Sequence, residues 1–190
     1  RLHAGLRPDI LLVIDNAYAE YVTAADYSVG LDLVGETENV VMVRTFSKMG
    51  LAAARIGWMV APDHVNDAIH RIRGPFNANL PAQLAGAAAT RDVEFNEKLR
   101  EHNARWRNWL AAELNGNAMR VLPSEANFIL VLFPDIATAA RAFETLLAGG
   151  YVVREVGKSY NIDNGLRISI GSEDAMRGVA KILKSMVISQ

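Results

Sequence analysis

Ile10-Leu11-Leu12-Val13-Ile14-Asp15-Asn16-Ala17-Tyr18 sets five consecutive apolar residues against a polar stop. Such a run is the pattern of a strand buried on both faces, as in a parallel sheet covered by helices. Val40-Val41-Met42-Val43 repeats it and stops at Arg44-Thr45. Ile56-Gly57-Trp58-Met59-Val60-Ala61 is a third run, ended by Pro62. Residues 45–55, between the second and third runs, are too few to hold a crossover helix, so these two strands are expected to be antiparallel neighbours. That pairing places residues 45–48 and Arg55 at the same edge of one sheet.

Outward from this sheet, residues 63–73 have helical spacing, with Pro62 suited to the first turn and Gly74-Pro75 as a stop. Residues 81–90 are rich in alanine and read as a closely packed helix. Residues 92–114 form a longer helical pattern, capped by Asp92 and ended at Asn115-Gly116, of the kind that links two domains. Beyond it the order is strand (119–122), strand (128–133), helix (136–148), strand (151–155), strand (166–170) and helix (173–186), an α+β unit with its own core. Residues 1–6 read as the last turn of a helix closed by Gly5 or by Arg7-Pro8-Asp9, so the chain is expected to begin partway through a domain.

The composition is that of a globular protein, with 190 residues, 51% of them hydrophobic and 22% charged. A formal charge of -1 gives no field that would draw the chain to nucleic acid or an anionic membrane, which leaves small molecules and other protein as expected partners. Cysteine is absent, which excludes disulfides and thiolate metal sites and suits a reducing compartment, so cytoplasm is the expected location. His3, His64, His70 and His102 lack metal-ligand spacing, and no metal is expected. Arg100, Arg105 and Arg107, with Glu97, Glu101 and Glu113, read as a solvated face of mixed sign, with Trp106 and Trp109 on the buried side.

Three segments carry candidate chemistry: Asp15-Asn16-Ala17-Tyr18 after the first strand, Thr45-Phe46-Ser47-Lys48 after the second, and Arg55-Ile56-Gly57 entering the third. Ligands of open α/β sheets bind beyond the carboxyl ends of the parallel strands, so these segments can share a site. Taken singly, a Lys after a strand is a solvated charge and an Asp there is a cap. Together, Asp-x-Ala-Tyr, Ser-Lys and Arg-x-Gly resemble the signature of the aspartate-aminotransferase-like fold of pyridoxal-phosphate enzymes. Ile14-Asp15-Asn16-Ala17-Tyr18-Ala19-Glu20-Tyr21, Arg44-Thr45-Phe46-Ser47-Lys48, Arg55-Ile56-Gly57-Trp58 and Arg73-Gly74-Pro75-Phe76-Asn77 look most similar to histidinol-phosphate aminotransferases. The likeness runs from Ile10 to the final helix.

The resemblance implies an α/β fold, with residues 1–91 as part of a large cofactor-binding domain whose mixed sheet lies under helices. It makes residues 92–114 the linking helix and residues 115–190 a small α+β domain. It implies pyridoxal 5'-phosphate held as an imine by Lys48, which would also carry the proton at the substrate's α-carbon. Asp15 would accept a hydrogen bond from the pyridine nitrogen, and Tyr18 would donate one to the ring's phenolic oxygen. Ser47 and Arg55 would hold the phosphate. Arg167 would bind an α-carboxylate, and Arg154 the distal phosphate or carboxylate of the substrate, each guanidinium pairing bidentately. Asn77, Asn79 and Asn127 stay open between site and turn roles. The implied activity moves an amino group between glutamate and histidinol phosphate, in histidine biosynthesis, within a homodimer. Aromatic-amino-acid aminotransferase and threonine-phosphate decarboxylase activities of the same fold are the alternatives, beside an inactive fragment. Because the family's chains are roughly twice as long, these 190 residues are expected to be incomplete as an enzyme on their own.

Overall fold

The structure, a computed structural model, describes residues 1–116 and 118–188. The chain divides into two compact units, Arg1–Leu99 and Arg100–Gln190, and the division falls inside helix α4 (Val93–Leu114).

The first unit is built on strands β1 (Leu12–Asp15), β2 (Val40–Thr45) and β3 (Gly57–Val60), in that spatial order. β1 and β2 are parallel, with Leu12 opposite Val40 and Asp15 opposite Val43. β3 returns antiparallel to β2, with Thr45 opposite Gly57, as the short connection requires. Between β1 and β2 lies helix α1 (Leu31–Glu36), which the sequence pattern does not announce. It is short, enters from Gly30 at φ 74°, and carries Gly35, so it has neither a side-chain cap nor strong propensity. Val34 of α1 packs with Val40 and Met42 of β2, and Leu12 and Ile14 of β1 join them.

The expected two-sided burial of residues 10–14 is not found. β1 lies at the margin of the sheet and meets α1 with one face only, so Leu12 and Ile14 are half-buried while Leu11 and Val13 stay 46% and 52% exposed. The strand also starts later than the apolar run, because the Ile10 amide closes a turn onto the Arg7 carbonyl at 3.0 Å. Helices α2 (Asp63–Ile72) and α3 (Leu80–Arg91) follow β3, the latter capped by Asn79, whose side chain accepts from the Ala82 amide. Asp92 caps α4 in the same way, accepting from the Phe95 amide at 3.1 Å.

The second unit contains the rest of α4, β4 (Arg120–Leu122), β5 (Phe128–Leu132), α5 (Ile136–Ala148), β6 (Arg154–Glu155), α6 (Gly157–Tyr160), β7 (Gly165–Ser169) and α7 (Glu173–Ile188). Its sheet has the order β4-β5-β7-β6 and is antiparallel throughout. Alternation divides its residues. Ile129, Val131, Leu166 and Ile168 enter a core with Leu110 of α4, Leu146 of α5 and Leu183 of α7, while Phe128, Leu130 and Arg167 belong to the other face. The strand expected over 151–155 is reduced to Arg154–Glu155. Gly150 at φ 84° turns the chain out of α5, and the Tyr151 amide donates back to Leu146.

One solvated charge was misread from the pattern. Arg107 is only 3% exposed and pairs with Glu125 at 3.2 Å. Positions 103, 106, 107, 110 and 114 are all buried, so Arg107 falls within the inward stripe of α4 and is tolerated there by an acidic partner. Trp106 is buried and Trp109 half-buried, as expected.

The tightest backbone approach in the first unit is at Gly57, where an added Cβ would stand 2.5 Å from the Arg44 carbonyl oxygen. Gly57→Ala is expected to destabilise the fold by about 1–3 kcal/mol, since backbone must move to admit the methyl. Gly35→Ala, in α1 with open space around it, is expected to stabilise by about 0.5–1 kcal/mol. Denaturation midpoints of the two variants check the pair; equal shifts would show that the approach at Gly57 is not binding on the fold.

Candidate active site

Because β1 and β2 run parallel, their carboxyl ends share one edge, and antiparallel β3 begins at that same edge. Asp15 closes β1, Ser47 and Lys48 follow β2, and Arg55 precedes β3. Topology alone therefore gathers the three motif segments.

Asp15 is exposed, and its Oδ1 accepts from the Ala17 amide at 3.0 Å, an Asx turn that bends the chain directly after the strand. The bend leads into a 3-10 turn, Ala19–Tyr21, with Tyr18 at its start. Lys48 lies in a second 3-10 turn, Ser47–Met49, opened by the Ser47 amide donating to Thr45 Oγ1 at 3.0 Å and closed by Gly50 at φ 93°. Its ammonium stands 5.3 Å from the centroid of the Tyr18 ring. That is cation–π distance and places the amine against an aromatic face.

Arg55 adopts φ 50° and ψ 47°, a left-handed conformation that costs a non-glycine residue about 1–2 kcal/mol. It is held there by its own side chain, whose Nη1 donates to the Ala52 carbonyl at 3.0 Å and stands 3.4 Å from Ser47 Oγ. A strained backbone that brings a guanidinium to a hydroxyl is a feature of ligand clamps. Arg55 is exposed, so both donors can reach an anion from solvent.

Several residues to which the motifs give no role support these segments. Asn16 is 4% exposed; its Nδ2 donates to the Val29 carbonyl at 2.7 Å, and its Oδ1 accepts from the Tyr27 hydroxyl at 2.6 Å. Burial holds the Tyr27 phenol above its ordinary value of 10.0, with Arg44 opposing and Glu20 adding to the shift. Glu20 and Arg44 form an ion pair, and the Arg44 guanidinium lies 5.3 Å from the Trp58 ring centroid. The hydroxyl of buried Tyr21 donates to the Lys48 carbonyl.

In the second unit, Arg167 lies opposite Leu130 of β5 and Arg154 of β6, on the face turned from the core. Its guanidinium carbon is 4.8 Å from the Phe128 ring centroid, and its Nε is buried with no hydrogen-bond partner among the described residues. Beside it is a cavity of about 220 Å³ lined by Phe128, Leu130, Val156, Tyr160, Ile162 and Arg167. An orphaned guanidinium nitrogen at a cavity favours an anionic ligand that would supply the missing acceptor. Arg154 is exposed.

Of the undecided asparagines, Asn77 and Asn79 use their side chains in structural contacts, while the bond found at Asn127 is of its backbone and assigns its side chain no role. Asn79 caps α3, Asn77 accepts from Arg73 at 3.1 Å, and the Asn127 carbonyl accepts from the Ile170 amide at 2.8 Å. His3 contacts Asn39 and His102 contacts the Gly171 carbonyl, each at 2.9 Å. Among the described residues no three His, Cys, Asp or Glu side chains are grouped to hold a metal ion, and no helix is long and apolar enough to cross a membrane.

Histidinol-phosphate aminotransferase from Nitrobacter winogradskyi is 48% identical over 98% of the chain. The enzyme of the same name from Rhodopseudomonas palustris strain BisB5 is 47% identical, also over 98%. The chain spans about half the length of these curated relatives, 52% of each. Among solved structures, histidinol-phosphate aminotransferase from Sinorhizobium meliloti in complex with pyridoxal-5'-phosphate superposes with a TM-score of 0.89 at 26% identity, covering 98% of this chain and 51% of the other. The family described as aminotransferase class I and II matches residues 6–183, so the chain belongs to the class I and II aminotransferases.

Proposed function

We propose that this chain serves an aminotransferase that moves an amino group between glutamate and histidinol phosphate, with pyridoxal 5'-phosphate carried on Lys48. The observation that supports it most is the meeting of Lys48, Tyr18, Ser47 and Arg55 at one sheet edge, in a chain nearly half identical to relatives of that name. The donor set suits the cofactor: a primary amine beside an aromatic ring, a guanidinium and a hydroxyl together for a phosphate, and a carboxylate at the end of the neighbouring strand.

When bound, the cofactor supplies an electron sink for bond breaking at the substrate's α-carbon. Lys48 Nζ holds it and carries a proton to and from that carbon. The Asp15 carboxylate accepts a hydrogen bond from the pyridine nitrogen and keeps a proton there. Tyr18 donates from its hydroxyl to the phenolic oxygen, and Ser47 Oγ and the Arg55 fork hold the phosphate. Arg167 pairs with the α-carboxylate of glutamate, which supplies the acceptor its buried Nε lacks. Arg154 takes the distal carboxylate or phosphate.

The same reading takes residues 1–91 as part of a large domain, 92–114 as the linking helix and 115–190 as the small domain. It places the protein in the cytoplasm as a homodimer acting on small molecules. The absence of cysteine, which suits a reducing compartment, supports the cytoplasmic placement.

The experiment is a panel of half-reactions on a form with the relatives' full length, followed by the change in cofactor absorbance. Conversion by histidinol phosphate and by glutamate is expected; reaction with aromatic amino acids or phosphothreonine alone would replace this substrate assignment. Lys48→Ala is expected to cut turnover by about 10²–10⁴-fold or more, since it removes the proton carrier. Asp15→Asn should keep cofactor binding and lose most of the rate, and equal mild effects of the two would refute their roles. Arg167→Lys is expected to raise the KM for glutamate about tenfold or more by removing the fork, with the cofactor spectrum unchanged. A lost spectrum with unchanged glutamate dependence would remove Arg167 from the carboxylate site.

A further inference from the structure

Beyond the residues to which the resemblance gives a role, one contact holds the Lys48 turn from the end of the first motif. Tyr21 is 3% exposed, ends the 3-10 turn Ala19–Tyr21, and donates its hydroxyl to the backbone carbonyl of Lys48. Tyr18, at the start of the same turn, faces the Lys48 ammonium with its ring at 5.3 Å. The Tyr21 amide bonds to the Tyr18 carbonyl at 3.0 Å, which closes the turn between the two tyrosines. The turn thus grips a single residue at two points, one on its side chain and one on its main chain.

We infer that Tyr21 is a positioning residue for Lys48, fixing the backbone from which the amine projects. This rests on the assignment of Lys48 as the cofactor's anchor. The turn that carries Lys48 needs such a fixed point. It is a single turn, without a side-chain cap, between Phe46 and the left-handed Gly50. Its internal restraints are the Met49 and Leu51 amides donating to the Phe46 carbonyl at 3.0 and 3.2 Å. Short 3-10 turns have poor hydrogen-bond geometry and open readily. A buried phenol, with only two side-chain torsions to fix, clamps the carbonyl at little entropic cost. The Asn16 side chain ties the stretch between the strand and this turn to Val29 and Tyr27.

Tyr21→Phe keeps the ring and its packing and removes only the donor. In the 190-residue chain without cofactor, amide hydrogen exchange is expected to quicken about tenfold over residues 48–51, the equivalent of one lost hydrogen bond, while Val40–Thr45 is unchanged. In a form with the relatives' full length, titration with pyridoxal 5'-phosphate and borohydride reduction should show about tenfold weaker loading of Lys48. Tyr21→Leu, which also removes the ring, should quicken exchange in β2 as well, separating loss of packing from loss of the bond.

Unchanged loading in Tyr21→Phe overturns the inference. So does quickened exchange spread evenly into β2, which would make Tyr21 a core residue without a particular bearing on Lys48. A wild-type protein that takes no cofactor on Lys48 overturns the proposed function, and this inference with it. Normal wild-type loading beside an unaffected Tyr21→Phe variant overturns the inference alone.

Discussion

The short connection between β2 and β3 is the constraint on which the rest of the first unit depends. Residues 46–56 cannot hold a crossover helix, so β3 must turn back beside β2, and the connection compacts into two 3-10 turns joined at Gly50. Gly57, against the Arg44 carbonyl, draws the two strands together where the connection ends. Lys48 and Arg55 are consequently fixed at the sheet edge where β1 also ends. Arg55 absorbs the remaining mismatch as a left-handed residue, stabilised by its bond to Ala52. The chemistry is thus placed by backbone closure before any side chain contributes.

The second unit places its arginines by alternation. One face of its sheet is filled by Ile129, Val131, Leu166 and Ile168, and strand periodicity then sends Arg167 to the opposite face. Phe128 shields the guanidinium from one side and leaves its Nε without an acceptor. That is costly for a protein to retain unless a ligand completes it; Arg107, which is more deeply buried, has Glu125 as a standing partner.

Much of this was legible in the sequence because the signals were local. Apolar runs marked β1, β2 and β3, the length of one loop fixed the antiparallel return, and residues 136–148 matched α5 at both ends. The convergence of Asp15, Lys48 and Arg55 followed from topology. What escaped depended on tertiary contacts. α1 contains Gly35, enters from Gly30 and has no side-chain cap, so its packing on Val40 and Met42 is what makes it a helix. Residues 10–14 look the same whether one face or both are covered. Arg107 reads as solvated until Glu125, 18 residues on, is brought to it. Tyr21 closes the first motif without a role legible in the sequence, because its partner, the Lys48 carbonyl, is brought to it only by the fold.

The central claim is that Lys48 is the anchor of the cofactor. It is tested most directly by incubating the protein, in a form with the relatives' full length, with pyridoxal 5'-phosphate, reducing with borohydride, and mapping the adduct by peptide mass spectrometry. If the claim is right, the reduced pyridoxyl group is found on Lys48 and on none of the other lysines, at one equivalent per chain. Adducts scattered over Lys98, Lys181 and Lys184, with Lys48 unmodified, would contradict it.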